Sequence, residues 1–142
     1  SGFLYYKCIA CEEQGVRVEY DIVAGELKCV VLVHELVEIT GILMDNACEK
    51  VLEYEEPDRV IYLRLAEHAE TLELEVANRS ERLLREQVEQ LFENGYSTKG
   101  SERGLGLARV KQIADKYNLD IQVENQEINK KNRIVFRLVI KK

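Results

Sequence analysis

Residues Ile39–Glu49 read I-T-G-I-L-M-D-N-A-C-E, and the fold follows from how that stretch continues on either side. Leu32, Leu36, Ile39, Leu43 and Ala47 recur every three or four positions. That spacing predicts one buried stripe along a helix of roughly Val31 to Glu53. Glu35, Glu38, Asp45, Asn46 and Glu49 fall on the other faces, giving the helix a packed side and an acidic side. Asn has modest helix propensity and competes for backbone hydrogen bonds, so Asn46 gains the helix nothing. Its plain reading is a solvated surface amide. Its functional reading needs other residues.

Outward from this helix the chain alternates. Before it, Phe3 to Gln14 reads as a short helix with Leu4, Cys8 and Cys11 on one side, closed by Gly15. Val16 to Val23 is a half-buried strand, with Val16, Val18, Tyr20 and Ile22 inward. After it, Pro57-Asp58 breaks the pattern, and Arg59–Glu67 and Thr71–Asn78 are strands. A helix is expected over Glu81–Phe92, then a glycine-bearing loop and an amphipathic helix over Gly104–Tyr117 with Leu107, Val110, Ala114 and Tyr117 on one side. Two strands finish the chain, carrying Leu119, Ile121 and Val123, then Ile134, Phe136, Leu138 and Ile140. Strands with one apolar face each predict a two-layer α/β sandwich: a mostly antiparallel, mixed five-stranded sheet with helices on one face. Residues 1–142 form one domain, and the irregular stretch 79–103 is its expected lid.

Composition removes several classes of function. The chain has 142 residues, 46% hydrophobic and 32% charged, with 20 basic against 26 acidic side chains and a net charge of −6. No basic block points to nucleic acid. No apolar run approaches the roughly 18 residues of a membrane span. Ser1-Gly2 reads as a cloning remnant. Cys8, Cys11, Cys29 and Cys48 read as reduced thiols, since the single C-x-x-C has no second pair and His34 and His68 complete no zinc set. His34 is expected to be structural.

The second informative stretch is Lys99-Gly100-Ser101-Glu102-Arg103-Gly104-Leu105-Gly106-Leu107. Glycines at the opening of a helix allow close backbone approach, and free amides at a helix N-terminus suit phosphate. The bland alternative is a tight loop-to-helix turn. No P-loop is present, and Arg109 occupies the third-glycine position of a dinucleotide fingerprint.

Taken together, Asp45-Asn46-Ala47 on a helix, the strand ending at Asn78, a lid, and Gly104-Leu105-Gly106-Leu107 resemble the GHKL ATPase superfamily, whose fold is the Bergerat type. Its members include DNA gyrase B, mismatch-repair ATPases, heat-shock chaperones and sensor histidine kinases. Ile39–Glu49 together with the string Gly95-Tyr96-Ser97-Thr98-Lys99 is most similar to peptide quorum-sensing histidine kinases of the accessory-gene-regulator type.

The resemblance implies roles. Asn46 would bind Mg²⁺ between the phosphates of ATP, and Asn78 would accept the adenine amino group. Gly104, Leu105, Gly106 and Leu107 would form the second glycine box. Ser97, Thr98 and Lys99 would close over the nucleotide, Lys99 reaching the terminal phosphates. Asn46 and Lys99 would thus carry catalysis. Two departures stand out. Asn78-Arg79-Ser80 replaces the usual D-x-G-x-G, which implies weaker ATP binding, and Ile42 stands where hydrolytic members keep a general-base Glu.

The resemblance implies a histidine kinase catalytic domain that transfers the γ-phosphoryl group to a His on a separate dimerisation domain, from which a response regulator receives it. The chain would be a monomeric, cytoplasmic part of a membrane-anchored bacterial receptor. The rivals are an anti-sigma-factor-type serine kinase and a non-catalytic interaction module of the same fold.

Overall fold

The computed structural model describes residues 2–22, 30–93 and 101–142, the last with side chains from Gly106 onward. The elements are α1 (Gly2–Glu13), β1 (Arg17–Ile22), α2 (Val33–Val51), β2 (Val60–Glu67), β3 (Thr71–Arg79), α3 (Arg85–Gln90), α4 (Ser101–Tyr117), β4 (Asp120–Ile128) and β5 (Lys131–Lys141). The five strands form one sheet in the order β1-β2-β3-β5-β4. Only β1 and β2 run parallel. The three other pairings are antiparallel. The expected mixed five-stranded sandwich is therefore the observed fold.

Alternation decides which face is covered. Ile61, Leu63, Leu65, Leu72, Leu74, Val76, Leu138 and Ile140 are sealed against α2 and α4, whose Ile39, Met44, Val51, Val110 and Ile113 fill the space between the layers. On the reverse face the strands carry a charge ladder. There Arg137 reaches Glu73 at 3.0 Å, Glu75 at 3.2 Å and Glu124 at 3.0 Å. This matches one buried and one solvated sheet face.

α1 packs Leu4, Cys8 and Cys11 inward and ends where Gly15 takes φ +85, as read from the sequence. Cys8, Cys11 and Cys48 are buried between α1 and α2 as free thiols. Burial, followed by the neighbouring Cys48, pushes the Cys11 thiol up to about 12. Cys29 lies outside the described residues.

Several local expectations are corrected. Leu32, assigned to the apolar stripe, is exposed as the N-cap of α2. Tyr20 is exposed too, because β1 is an edge strand, and its ring meets Tyr5 of α1 edge-on at 5.5 Å. His34 is exposed rather than set beside the core. The helix expected over Glu81–Phe92 shrinks to the six residues of α3. Asn125 of β4 explains this. Its Oδ1 accepts from Leu83 N and its Nδ2 donates to Leu83 O, both at 2.9 Å, so the backbone there stays extended. Leu84 N then donates to Gln87 Oε1 at 2.8 Å, and the helix starts at once.

Candidate functional site

The acidic side of α2 turns out to be its interface with α4. Glu35 is 3% exposed, Lys116 Nζ donates to it at 3.1 Å, and the Tyr117 hydroxyl donates a short hydrogen bond to its other oxygen. The Tyr117 bond first, then Lys116, holds the Glu35 carboxyl below the usual carboxylate range. One turn on, Arg109 grips Glu38 with two parallel bonds, Nε at 2.9 Å and Nη2 at 3.1 Å. The sequence pattern put both carboxylates in solvent; their partners lie over 70 residues away.

These contacts fix the direction of α4. Successive turns of α2, at Glu35 and Glu38, meet Lys116 and then Arg109, so the helices run antiparallel. The next turn brings Ile42 against Gly106: a Cβ on Gly106 would stand 3.3 Å from the Ile42 Cγ2 methyl. That separation is tighter than ordinary van der Waals contact, so a glycine at 106 lets the helices approach. Position 42, where a hydrolytic relative would need Glu, is thus a packing position.

Two turns beyond Ile42, Lys50 donates to Glu81 at 2.6 Å. Lys50 is the first cause holding the Glu81 carboxyl near about 2. Tyr54 lies beside this pair, and burial together with the Glu81 carboxylate pushes its hydroxyl up to about 12. Asn46 stands between the two contacts, one turn from Ile42 and one turn from Lys50 along the 42-46-50 row. It is half-buried, and among the described residues no side-chain hydrogen bond occupies its amide. Asp45 beside it is exposed and paired with Lys7 at 2.6 Å.

Asn78 closes the same end of the helical layer. It shares the inward face of β3 with Leu72, Leu74 and Val76 and is 4% exposed. Its Nδ2 donates to Arg79 O at 2.9 Å, which leaves Oδ1 without a donor among the described residues. The expected lid is tied down at its beginning: Arg79 belongs to β3, Ser80 N donates to Asn132 O at 3.2 Å, and Leu83 is held by Asn125. Further on, Phe92 packs edge-on against Phe136 at 6.2 Å.

The structure thus gathers Asn46, Asn78 and the start of α4 at one end of the helical layer. α4 begins at Ser101, three residues before the expected opening at Gly104, so Gly104, Leu105 and Gly106 lie in its first two turns. Leu107 sends its side chain into the core. Ser97, Thr98 and Lys99 lie outside the described residues. Sequence reasoning missed Lys50 and Glu81, because a Lys on a helix and a Glu in a loop each read as solvated. The signal available was position: Lys50 follows Asn46 by one turn, and Glu81 follows Asn78 by three residues. A magnesium ion fits this arrangement in one respect. The unengaged Asn46 carboxamide offers a neutral oxygen, the kind of donor a hard cation takes when phosphates and waters complete its shell.

Comparison with known proteins agrees with the geometry. A family model described as a GHKL domain matches residues 32–136. The chain is 30% identical over 129 residues to the "Probable C4-dicarboxylate sensor kinase" of Halalkalibacterium halodurans, covering 89% of this chain and 24% of that protein. It is 35% identical over 92 residues to the sensor protein CitS of Bacillus subtilis, covering 65% of this chain and 17% of that protein. The chain therefore spans a quarter or less of the length of these curated relatives. Among solved structures, the catalytic domain of histidine kinase ThkA superposes with TM-score 0.79 at 20% identity, covering 99% of this chain and 91% of that one. Full-length ShkA, solved in complex with AMPPNP, gives TM-score 0.73 at 17% identity, covering 99% of this chain and 30% of that chain. At these identities the superpositions speak for the fold.

Proposed function

Because the chain belongs to the GHKL domain family, with the model spanning most of its length, we propose that it is the ATP-binding catalytic domain of a sensor histidine kinase. The observation that carries this reading is the row 42-46-50 on α2. An unengaged Asn46 amide sits between the close Ile42–Gly106 approach and the Lys50–Glu81 bridge. Asn46 holds the metal-phosphate end of the nucleotide, and Asn78 Oδ1 accepts from the adenine amino group. Bound Mg²⁺ supplies charge neutralisation to the phosphates. The first turn of α4, from Ser101, offers backbone amides to the same phosphates, and Lys99 adds a point charge. Phosphoryl transfer needs mainly positioning and charge stabilisation, which these groups provide without a general base for water. Ile42 can take no proton, so water is poorly activated and a protein imidazole becomes the acceptor.

The acceptor His belongs to a dimerisation domain of the same kinase, with a response regulator downstream. Neither exposed histidine of this chain serves: His68 is engaged with Glu73 at 3.1 Å, and His34 stands on the α2 first turn, far along that helix from Asn46. Within the family, the Gly95-Tyr96-Ser97-Thr98-Lys99 string supports the peptide quorum-sensing type, although one relative bears the name of a dicarboxylate sensor. Autophosphorylation of the whole kinase stimulated by a short peptide and not by a C4-dicarboxylate would uphold that assignment, and the reverse would overturn it. The wider reading is tested by calorimetric titration of Mg-ATP into the chain and into Asn46→Ala. Micromolar-to-millimolar binding that disappears in the variant is expected. Absence of binding by the intact chain would favour a non-catalytic module.

A further inference from the structure

On the solvated face of the sheet, behind Asn78, a pocket of about 170 Å³ opens between the start of β2 and the β4–β5 hairpin. Its walls include Asp58, Tyr62, Arg79, Lys131 and Arg133. It is smaller than the roughly 300–1,000 Å³ of a typical pocket for a drug-sized ligand. In a protein of net charge −6, three cations here face one carboxylate. Asp58 is already engaged by Lys131 at 2.9 Å.

The two guanidiniums are held in place yet have donors to spare. Arg133 stacks on the Tyr62 ring at 3.7 Å, and among the described residues no carboxylate lies within ion-pair distance of it. Arg79 lies against the Tyr54 ring at 4.8 Å, and its Nη1 donates to Ser80 O at 3.0 Å. Its Nε is buried with no hydrogen-bond partner, because Asp58 Oδ2 stands too far off at 3.8 Å. A buried guanidinium nitrogen without an acceptor is costly and calls for an explanation. Stacked guanidiniums with free edges match tetrahedral and planar oxyanions.

We propose that this pocket binds a small dianion of phosphate size, held by Arg79 and Arg133 with Lys131 at the rim. The net excess of two positive charges matches a dianion, and its oxygens accept from the pocket-facing donors of Arg79 and Arg133. Free phosphate and the phosphate of a small phosphomonoester share this chemistry. Because Arg79 directly follows Asn78 in β3, the anion lies on the reverse of the proposed adenine contact.

The test follows the Arg79 Nε–H resonance by ¹H–¹⁵N NMR while inorganic phosphate is added at constant ionic strength. A saturable downfield shift that chloride does not reproduce is expected. Arg133→Gln should weaken the apparent affinity about tenfold, the loss of one charge-assisted contact. Arg79 also braces the backbone, so Arg133→Gln and Lys131→Gln are the informative variants, with unchanged amide spectra elsewhere as the check on folding. Asn46→Ala should leave the shift intact, which separates this site from any phosphate held where ATP binds. Glycerol phosphate binding more tightly than inorganic phosphate would identify a phosphomonoester as the ligand, and equal binding would identify the free ion. A shift that never saturates, that chloride reproduces, or whose midpoint is unchanged in Arg133→Gln would overturn the proposal.

Discussion

Substituting Asn78→Asp separates the fold's demands on this position from the nucleotide's. Asn78 is 4% exposed, and its Nδ2 donates to Arg79 O at 2.9 Å. A carboxylate there loses that bond, about 1 kcal/mol net, and turns an unpaired charge toward a carbonyl oxygen, about 1–3 kcal/mol more. The variant should therefore lose about 2–4 kcal/mol at pH 7, a large share of a typical 5–15 kcal/mol stability. Burial raises the folded-state pKa of the new carboxyl above its unfolded value of about 3.9. The folded state then binds more protons, so the penalty is small below about pH 4 and grows as pH rises toward the folded pKa. Protonated, the carboxyl can donate to Arg79 O as the amide does. At the proposed adenine contact, Mg-ATP gives the charged form a donor, so ATP should bind more tightly to the variant than to the parent. Saturation a hundredfold above Kd should restore about 2.7 kcal/mol. Urea unfolding at pH 7 and pH 4, with and without Mg-ATP, measures all of this. Undiminished stability at pH 7 would refute the sealed environment. A loss with no gain in ATP affinity would remove Asn78 from the adenine.

Other outcomes are expected on the same footing. Lys50 holds Glu81 near about 2, so its contribution is present above the unfolded value of about 4.3 and fades as pH falls toward 2. The Glu81 side chain is 66% exposed, so Glu81→Gln should cost less than about 1 kcal/mol at pH 7 in urea titrations, and less still at pH 2, where about half of the folded-state carboxyl is protonated. Gly41→Ala, whose Cβ would meet Phe3 at an ordinary 3.7 Å, should raise stability by about 0.5–1 kcal/mol. Gly106→Ala should fail to show that gain, because its methyl meets Ile42 at 3.3 Å; equal stabilisation by both would refute the close helix approach. With its thiol pushed up to about 12, Cys11 should resist alkylation at pH 8 until the chain unfolds, and rapid labelling of the native protein would contradict its burial.

Much of this architecture was legible because it is written locally. Leu72, Leu74 and Val76 alternate on β3, and Leu36, Ile39, Leu43 and Ala47 repeat along α2, whatever the rest of the chain does. Glu35 was illegible for the opposite reason. Its burial depends on Lys116 and Tyr117, and nothing near residue 35 announces them. The shortening of α3 has the same origin, since Asn125 competes for the Leu83 backbone from 42 residues away. At the candidate site, Asn46 stood out because an amide in mid-helix conflicts with local preference. Lys50 conflicts with nothing, so only the folded chain shows it bridging to Glu81.

The α2–α4 clamp also acts as an index mark. Sliding α4 by one residue would move it about 1.5 Å and turn it about 100°. That step would pull Arg109 off Glu38, replace Gly106 with a bulkier neighbour against Ile42, and strip Glu35 of Tyr117. No intermediate setting satisfies all three contacts, so the helix has one permitted seating. The depth at which its first turn would meet the proposed phosphates is thereby set by side chains two to four turns away, and errors at Glu35 or Glu38 should surface as misplacement at a site neither residue touches.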